Sequence, residues 1–343
     1  MKPHYITGQI ETLIGNIDQV STVWSNKDLF STIKVRWSIG RMDYSVMPGL
    51  YAVGNPDADS DVYVSCNFKL SFDHLRRALH GLNAWVLVLD TKGVNVWCAA
   101  GKGTFGTFEL VFRIMVEQLG SVVNHNRIIV PQLGATGVAA HKVKEETGFK
   151  VIYGPVEAKN IRAFVANNYK ATPEMRKINF NLAERMKLIP VELVYAKHYM
   201  ILIPAIFFIL AGFSVHGFSV DSSWSNGGRA ILNLCVAYLA GCVLTPIFLP
   251  VIPFKRFSLK GLVMGWLMAL PLLYFNFLGT NIFEIISWFL IMGGLSSFLA
   301  MNFTGASTFT SLSGVQKEMK ISLPTQIYGT ALGLVGWIVT RFI

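Results

Sequence analysis

The sequence predicts an α/β domain with a mostly parallel, Rossmann-like sheet, followed by an all-α domain of five membrane-spanning helices. Two observations support this architecture. Up to about residue 195, short apolar runs alternate with longer amphipathic stretches, and beyond His198 long apolar stretches replace the charged residues. Alternation of this kind is typical of a parallel sheet with helices on both faces. We therefore expect domains at residues 1–195 and 196–343.

Four strand–helix pairs make up the predicted sheet. The strands are DVYVSC (61–66), AWVLVLD (84–90), NRIIVPQ (126–132) and FKVIYGP (149–155), and the helices that follow them span 71–82, 106–120, 137–148 and 157–169. Ligands of such sheets bind beyond the carboxyl ends of the strands. Three of the loops expected there are rich in glycine, proline and small residues, which let a backbone approach a large flat ligand closely. They read TKGVNVWCAAGKGTFG, PQLGATG and GPVEA.

Five stretches of the second domain are apolar over the roughly 20 residues that a membrane span needs. They are 199–218, 230–252, 259–279, 282–301 and 323–342. The first 30 residues contain no apolar segment of the kind found in a cleavable signal peptide.

Loop charge predicts the orientation of these spans. Lys255, Arg256 and Lys260 lie between the second and third spans, and Lys317 and Lys320 lie between the fourth and fifth. Positive residues mark the cytoplasmic side. We therefore expect a multi-pass protein of the cell (inner) membrane, with the α/β domain in the cytoplasm and the C-terminus outside.

The formal net charge of +10 is compatible with an acidic partner. Much of the positive charge lies beside the predicted spans, and the chain has no long basic run interleaved with aromatic residues. This distribution favours membrane topology and anionic lipid over nucleic acid.

The four cysteines are Cys66, Cys98, Cys235 and Cys242, and no two of them form a C-x-x-C pair. Iron–sulfur clusters and structural zinc sites need several closely spaced ligands, so we expect neither in this chain. A cytoplasmic domain also argues against disulfides.

The glycines after Cys98 allow a nucleotide-binding interpretation. Gly101, Gly103 and Gly106 fit the spacing G-x-G-x-x-G, which is a weak signal in a glycine-rich chain. The region about 20 residues further on, NHNRIIVPQ, lacks the acidic residue that ribose recognition needs. No phosphate-binding G-x-x-x-x-G-K-[ST] sequence is present.

Cys98 has two interpretations. A lone cysteine is usually a small buried apolar residue. Here it follows Trp97 at the mouth of the predicted sheet, where peptide N–H groups favour a thiolate. A thiolate there can act as a nucleophile or as one axial ligand of a metal held mainly by another group. A nucleophile needs a base, and none of His74, His80, His125 and His141 forms a recognisable pair with Cys98.

These segments resemble a known family. NVWCAAGK at residues 95–102 resembles the cap-helix signature of the HgcA family, the corrinoid proteins of microbial mercury methylation. The helical tail and NFTGASTFTSLSGV (302–315) also resemble HgcA. The segments PGLYAVGNP (48–56), NFKLSFD (67–73), PQLGATGVAAHKV (131–143) and GPVEAKNI (154–161) resemble the wider superfamily of the corrinoid iron–sulfur protein large subunit.

The resemblance implies a cobalamin-type corrinoid bound against the strand ends, with Cys98 as the catalytic residue and lower axial ligand of cobalt. The residues that it implies around the corrinoid are Asn95, Val96, Trp97, Cys98, Ala99, Gly101, Thr104, Phe105, Gln132, Leu133, Gly134, Ala135, Thr136, Gly137, Val138, Gly154, Pro155 and Val156. The D-x-H-x-x-G motif of another corrinoid class is absent from the sequence. Cys66 stands where the family leads us to expect alanine, so it is either a second thiol near the corrinoid or a packing residue.

The resemblance also implies an activity and partners. Mercuric ion is an electrophile and accepts a methyl group as a carbanion equivalent, and a strongly donating thiolate ligand favours that mode of cobalt–carbon cleavage, or a radical one. Because the chain has no cluster motif, electrons must come from a partner. The family implies an HgcB-like ferredoxin with two [4Fe–4S] clusters, a methyltetrahydrofolate-linked methyl donor and Hg(II) as substrate.

Two other functions remain open. One is a methyl carrier of one-carbon metabolism in an acetyl-CoA-forming pathway. The other is a membrane transporter with a regulatory α/β domain. Against the transporter, Glu284 is the one acidic residue within the five predicted spans, and ionisable residues usually mark transport paths.

Overall fold

The computed structural model of the chain describes residues 3–195, 197–303 and 312–343. They form two compact units, one of residues 1–35 and 39–178, the other of residues 36–38 and 179–343. The predicted domain boundary at residues 195 and 196 stays a prediction. Of the segment 302–315, residues 304–311 lie outside the described part of the chain.

The first unit contains a seven-stranded sheet with the spatial order β1-β2-β3-β5-β4-β6-β7. Its strands are β1 (Ile6–Thr12), β2 (Gly15–Val20), β3 (Gly49–Val53), β4 (Val62–Cys66), β5 (Ala84–Leu89), β6 (Arg127–Val130) and β7 (Lys150–Tyr153). Strands β5, β4, β6 and β7 run parallel to one another. These are the four strands that the sequence predicts, and with the helical second unit they confirm the predicted fold class.

Helices and two apolar cores cover the sheet. The helices are α1 (Asn26–Arg36), α2 (Lys69–Ala78), α3 (Val96–Lys102), α4 (Thr107–Val116), α5 (Leu119–Val122), α6 (Ala140–Thr147) and α7 (Ile161–Ala166), with 3₁₀ turns at Arg41–Asp43, Gln132–Gly134 and Ala158–Asn160. Strand β5 is buried on both faces: Trp85 and Leu87 enter one core, and Val86 and Val88 enter the other. An apolar strand without polar alternation is typical of a sheet covered on both sides.

The other edge of the sheet has a pattern that the sequence did not predict. Strands β1 and β2 form an antiparallel hairpin, and β3 pairs antiparallel with β5. Because β3 runs against β5, Gly49 at its beginning lies opposite Val88 near the end of β5. The turn that precedes β3 therefore lies at the carboxyl edge of the parallel strands.

Four buried charged side chains form ion pairs between α1 and α2. Asp28 lies 3.0 Å from Lys69 Nζ and 2.8 Å from Arg76 Nη2. Asp73 lies 2.5 Å from Lys69 Nζ and 2.8 Å from Arg76 Nε. All four side chains are at least nine-tenths buried. Two carboxylates and two cations balance, which is the arrangement that lets charges remain in a protein interior.

The second unit is helical. Its helices are α8 (Leu182–Met186), α9 (Ile189–Tyr195), α10 (Tyr199–Leu210), α11 (Val220–Ser222), α12 (Gly228–Leu239), α13 (Thr245–Ile247), α14 (Phe257–Tyr274), α15 (Ile282–Asn302) and α16 (Leu312–Val339), with a two-residue-stranded hairpin of β8 (Phe213–Ser214) and β9 (Gly217–Phe218). Helical turns of π type at Ser223–Gly227 and Ala240–Leu244 join α11, α12 and α13 into one continuous helix.

Three helices of the described residues are long and apolar enough to cross a membrane: Val220–Ile247, Phe257–Tyr274 and Ile282–Asn302. The bent pair Leu182–Tyr195 and Tyr199–Leu210 makes a fourth if it counts as one span. The described part of the chain thus has three or four candidate spans, against the five that the sequence predicts.

Two of the predicted spans differ for physical reasons. The first, 199–218, breaks because α10 ends at Leu210 and the chain then forms the β8–β9 hairpin, whose Gly217 has a φ of 91°. The fifth, 323–342, lies in α16, which is 28 residues long. Pro324, Thr325 and Gln326 lower its apolarity below that of the other three helices.

Arg76 tests the buried charge network. Arg76→Met removes one cation and leaves Asp28 and Asp73 with a single buried cation, so we expect the free energy of unfolding to fall by about 3–5 kcal/mol. Urea unfolding of the full chain in detergent micelles measures the change. Arg77→Met is the matched control, because Arg77 is the exposed neighbour on the same helix, and its effect should stay below about 1 kcal/mol. Equal effects of the two substitutions would contradict the network's role.

Asp28 makes stability depend on pH. Burial opposes ionisation of this carboxyl, but hydrogen bonds from the Ser25 backbone and from His4 and Lys69 outweigh it and hold the pKa of Asp28 well below its ordinary value of 3.8. A carboxyl whose pKa is lowered by folding stabilises the fold above its ordinary pKa, and that contribution is lost as the pH falls below it.

We therefore expect the urea midpoint of the full chain to fall between pH 7 and about pH 3, and to fall less in Asp28→Asn. Asp59→Asn, which removes an exposed carboxyl from the same unit, should keep the pH dependence of the unmodified chain. An unchanged pH dependence in Asp28→Asn would show that this carboxyl carries none of it.

Candidate functional site

Three segments meet at the carboxyl edge of the parallel strands. Strand β5 leads into α3, β6 leads into the 3₁₀ turn Gln132–Gly134, and β7 leads into Gly154–Val156. These are the segments in which the sequence places its candidate site residues. The structure thus brings together all three groups at one edge of the sheet.

Helix α3, the cap helix, has defined ends. At its beginning the Asn95 side chain accepts a hydrogen bond from the Cys98 backbone N–H at 2.9 Å. At its end Gly103 adopts a left-handed conformation with φ of 83°. Ala99 and Ala100 lie on the buried side of the helix, whereas Trp97 is 43% exposed and Cys98 is partly exposed. The helix therefore turns its alanines to the core and the Cys98 side chain toward the outside.

Glycines allow the loop after β6 to pack against the cap helix. A Cβ atom at Gly137 would lie 2.2 Å from the Phe105 carbonyl oxygen and 3.1 Å from Ala100 Cα. A Cβ at Gly134 would lie 2.4 Å from the Phe105 ring. A hydrogen bond joins the same two segments: the Thr107 N–H donates to the Gly137 carbonyl oxygen at 3.1 Å. The absence of side chains at these two positions sets the distance between the two segments.

Asn67 orders the loop that leads from β5 to the cap helix. Its Oδ1 accepts hydrogen bonds from the Thr91 N–H at 3.1 Å, the Thr91 hydroxyl at 2.8 Å and the Gly93 N–H at 2.9 Å. Its Nδ2 donates to Asp90 at 3.2 Å. The Thr91 hydroxyl also lies 2.6 Å from the Val94 carbonyl oxygen, so its single hydrogen is shared between this oxygen and Asn67 Oδ1. The sequence analysis missed this role, although Asn67 follows a strand at the carboxyl edge and so carried a positional signal.

The third segment is anchored beneath the surface. The Gly154 N–H donates to Val130 at 2.8 Å, and the Val156 N–H donates to Met175 at 2.8 Å. The Tyr153 hydroxyl donates to the Val138 carbonyl at 2.7 Å and joins this segment to the loop after β6.

The candidate residues divide by exposure. Those with accessible surface are Asn95, Trp97, Cys98, Gly101, Thr104, Gln132, Leu133, Ala135, Thr136, Gly137 and Val156. The buried ones are Val96, Ala99, Phe105, Gly134, Val138, Gly154 and Pro155. The residues of the buried group have little accessible surface in this structure, and their predicted place in the site stays a prediction.

Cys66 is a packing residue in the structure. Its side chain is fully buried in the core at the end of β4, and burial raises the pKa of its thiol. A buried neutral thiol is a weak metal ligand and a weak nucleophile.

The histidines do not provide a base for Cys98. His125 precedes β6 and contacts the Ser60 carbonyl at 3.0 Å, and His80 contacts the Thr22 hydroxyl at 2.9 Å. Both residues lie in loops that lead into the sheet, whereas Cys98 follows a strand. His74 packs against the Trp24 ring, and His141 is exposed on α6. None of the contacts described for these four histidines is with Cys98, so they give no support to a Cys–His nucleophile pair.

The glycine spacing does not form a dinucleotide-binding turn. Such a fingerprint places its glycines between a strand and the beginning of a helix. Here Gly101 lies inside the cap helix and Gly103 ends it. The G-x-G-x-x-G match therefore falls at the C-terminal end of the cap helix and not between a strand and a helix.

The exposed residues suit a large, amide-bearing ligand better than a bare metal ion. Among the described residues, no three histidine, cysteine or acidic side chains gather as a metal site. Gln132 Oε1 is buried without a hydrogen-bond donor within the described chain. A corrin ring carries peripheral amides, and an amide N–H from such a ring would satisfy this oxygen. The residues present therefore fit a corrinoid.

A known protein family matches the part of the chain that forms this edge of the sheet. Residues 27–165 match the family described as CO dehydrogenase/acetyl-CoA synthase delta subunit. The match includes the cap helix and the loop after β6, and ends beyond Gly154–Val156. It supports similarity to the superfamily that includes the corrinoid iron–sulfur protein large subunit.

Individual relatives share the same region. The acetyl-CoA decarbonylase/synthase complex subunit gamma of Archaeoglobus fulgidus is 31% identical over 143 residues, which is 40% of this chain and 30% of the relative. The subunit gamma of Methanocaldococcus jannaschii is 26% identical over 149 residues, 43% of this chain and 30% of the relative. The corrinoid/iron-sulfur protein large subunit of Moorella thermoacetica is 32% identical over 121 residues, 35% of this chain and 27% of the relative. The chain thus spans less than a third of the length of each of these relatives.

A pair of glycine substitutions tests the packing of the cap helix. Gly137→Ala inserts a methyl group into the contact with Phe105 and Ala100, so we expect a loss of about 1–3 kcal/mol in stability and faster amide hydrogen exchange over residues 96–105. Gly101→Ala is the matched control, because a Cβ there meets nothing within 4 Å and alanine favours a helix by roughly 0.5–1 kcal/mol. Hydrogen exchange of the full chain in nanodiscs measures both, and unchanged exchange in Gly137→Ala would contradict the packing argument.

Proposed function

We propose that this protein binds a corrinoid at the carboxyl edge of its sheet and transfers a methyl group that the corrinoid carries. The observation on which the proposal depends is the Cys98 side chain, partly exposed on a capped helix that packs against the loop after β6 through Gly137. The similarity to the Moorella thermoacetica corrinoid/iron-sulfur protein supports the same cofactor.

The protein's own residues would hold the corrinoid and provide one ligand. A bound corrinoid supplies a cobalt atom that carries the methyl group. The Cys98 sulfur would be a ligand of that cobalt as a thiolate, which is a soft and strong donor. Asn95 would keep the sulfur in position, because its side chain fixes the first turn of the cap helix. Gln132 would accept a hydrogen bond from a peripheral amide.

The cap helix would also exclude water beneath the ring. Trp97 is 43% exposed next to Cys98 and provides a large apolar surface there. Gly101 leaves open space on the same helix. A flat ring could approach the helix backbone at that point, since no side chain stands in its way.

We further propose Hg(II) as the methyl acceptor. With Cys98 as a strongly donating ligand, a bound methyl-corrinoid would supply its methyl group as a carbanion equivalent, which is the form that an electrophilic acceptor such as Hg(II) takes. The resemblance of NVWCAAGK to the HgcA cap helix supports this acceptor. Repeated turnover then needs a reductant. An HgcB-like ferredoxin with two [4Fe–4S] clusters is the proposed electron donor, and a methyltetrahydrofolate-linked methyl donor is the proposed source of methyl groups.

The helical unit would anchor the site to the membrane. Its three long apolar helices fit that role, and the basic residues near Lys255 favour the cytoplasmic side for the α/β unit. Against the transporter alternative, Glu284 forms an ion pair with Arg341, and both side chains are at least nine-tenths buried. A carboxylate that is neutralised in this way has a structural use and does not by itself mark a transport path.

A methyl carrier of acetyl-CoA metabolism is the second candidate, favoured by the names of the relatives in Archaeoglobus fulgidus and Methanocaldococcus jannaschii. The two functions differ in acceptor. The carrier would pass its methyl group to an acetyl-CoA-forming complex and would not need Hg(II). Comparing methyl transfer to Hg(II) and to such a complex, with the same reconstituted protein, separates them.

Cys98 substitutions test the proposed ligand. Cys98→Ala should fold, because alanine is well tolerated in a short helix beside Ala99 and Ala100. It should still bind corrinoid with a shifted visible spectrum, and its rate of methylmercury formation should fall by at least a hundredfold, since the donating sulfur is gone. Cys98→His should bind with a third spectrum and methylate poorly, because neutral imidazole is a weaker donor.

Cys235→Ala is the control, since Cys235 is the exposed cysteine of the helical unit and should leave both spectrum and rate unchanged. The measurements are anaerobic absorption spectra and product formation with a supplied reductant. Wild-type rates and an unchanged spectrum in Cys98→Ala would contradict the ligand role and return Cys98 to a packing role.

A further inference from the structure

Helix α1 exposes an apolar stripe. Leu29, Phe30 and Ile33 are exposed on one side of the helix, and Trp37 continues the stripe just beyond its end. At 3.6 residues per turn these positions fall within an arc of about 100°. The buried residues of the helix, Asp28 and Val35, lie on the opposite side. A continuous apolar face on one helix of a soluble unit indicates an interaction surface.

Basic residues flank the stripe. Lys27 and Lys34 are exposed next to it, and Lys34 Nζ lies 4.7 Å above the Phe30 ring. From Leu29 to Met42 the sequence contains no acidic residue. The turn that follows adds two more exposed apolar side chains, Ile39 and Met42. Apolar side chains that are bordered by lysines are typical of helices that lie in the headgroup layer of a membrane.

We propose that α1 and the turn that follows it, residues 27–42, bind the surface of a membrane that contains anionic lipid. Exposed lysines match the negative surface, and Phe30, Ile33 and Trp37 can enter the boundary between headgroups and acyl chains. A membrane surface is available to this chain, because three of its own helices are long and apolar enough to span one. This inference goes beyond the proposed function and does not depend on a bound corrinoid.

A second exposed stripe shows what the charges add. Phe108, Phe112 and Met115 are exposed along α4, but Glu109 on the same helix and Glu117 directly after it pair with Arg113. That surface has no excess of positive charge to attract anionic lipid. It therefore provides a comparison within the same protein.

The lipid-binding surface adjoins the candidate site. A Cβ atom at Gly93 would lie 3.7 Å from the Met42 carbonyl oxygen and 3.9 Å from Ser45 Cβ. Gly93 belongs to the loop that Asn67 orders and that leads into the cap helix. Lipid contact at residues 27–42 would thus support the turn that packs against this loop.

Hydroxyl-radical footprinting of the full chain tests the proposal. The chain is placed in nanodiscs of phosphatidylcholine alone and in nanodiscs with about one third phosphatidylglycerol. We expect oxidation of Phe30, Trp37 and Met42 to be several-fold lower in the anionic nanodiscs, because each basic side chain near an anionic surface changes a binding equilibrium by roughly fivefold. Oxidation of Phe108 and Met115 should be the same in both.

Charge reversal provides the matched control. Lys27→Glu with Lys34→Glu should restore oxidation of Phe30 and Trp37 in anionic nanodiscs. Lys142→Glu with Lys144→Glu makes the same change in net charge on the exposed side of α6 and should leave the protection intact. Equal oxidation in both lipid compositions would overturn the proposal, as would protection of residues 29–42 that arises only when another protein or a second copy of the chain is added.

Discussion

A backbone contact that glycine alone permits determines where the cap helix lies. Gly137 brings the loop after β6 so close to Phe105 and Ala100 that any Cβ atom would overlap the Phe105 carbonyl oxygen. The contact holds the cap helix from its C-terminal side, and the Asn67 side chain orders the loop at its N-terminal side. Between these two supports the Cys98 side chain is presented outward from a short helix that would be marginal on its own.

Stability and site construction use different interactions in this protein. The ion pairs among Asp28, Lys69, Asp73 and Arg76 are buried under the sheet and join the N-terminal segment to α2. The contacts around the cap helix are hydrogen bonds and close backbone packing. Because α2 begins three residues after the end of β4, the same short segment carries both Asn67 and Lys69. A change there would affect the folded state and the site loop together.

Much of the fold could be predicted from the sequence because the parallel strands are apolar throughout and each is followed by an amphipathic helix. The strands DVYVSC and AWVLVLD correspond to β4 and β5. The β1–β2 hairpin lacks such a continuous apolar run; β1 instead alternates half-buried and exposed residues, which is the period-2 pattern of a strand with one solvated face. The described residues contain three candidate spans, or four with the bent pair, against the five predicted, since mean apolarity does not register the turn after Leu210 or the polar residues of α16.

The candidate site was predictable in part. The sequence predicted that the glycine-rich loops lie together at one edge of the sheet, and the structure places these loops and the cap helix with Cys98 there. The buried charge network was not predictable, because Lys69, Asp73 and Arg76 have the spacing of an ordinary exposed helix face. The burial of Val96, Phe105 and Gly154 was also not predictable, since a loop sequence does not reveal which of its residues face the core.

Cobalt X-ray absorption spectroscopy of the full chain, reconstituted anaerobically with a corrinoid, tests the central claim most directly. The account predicts a sulfur neighbour of cobalt in the unmodified protein, and its loss in Cys98→Ala while the corrin nitrogens remain. A first shell of nitrogen and oxygen alone in the unmodified protein, identical to that of Cys98→Ala, would contradict it.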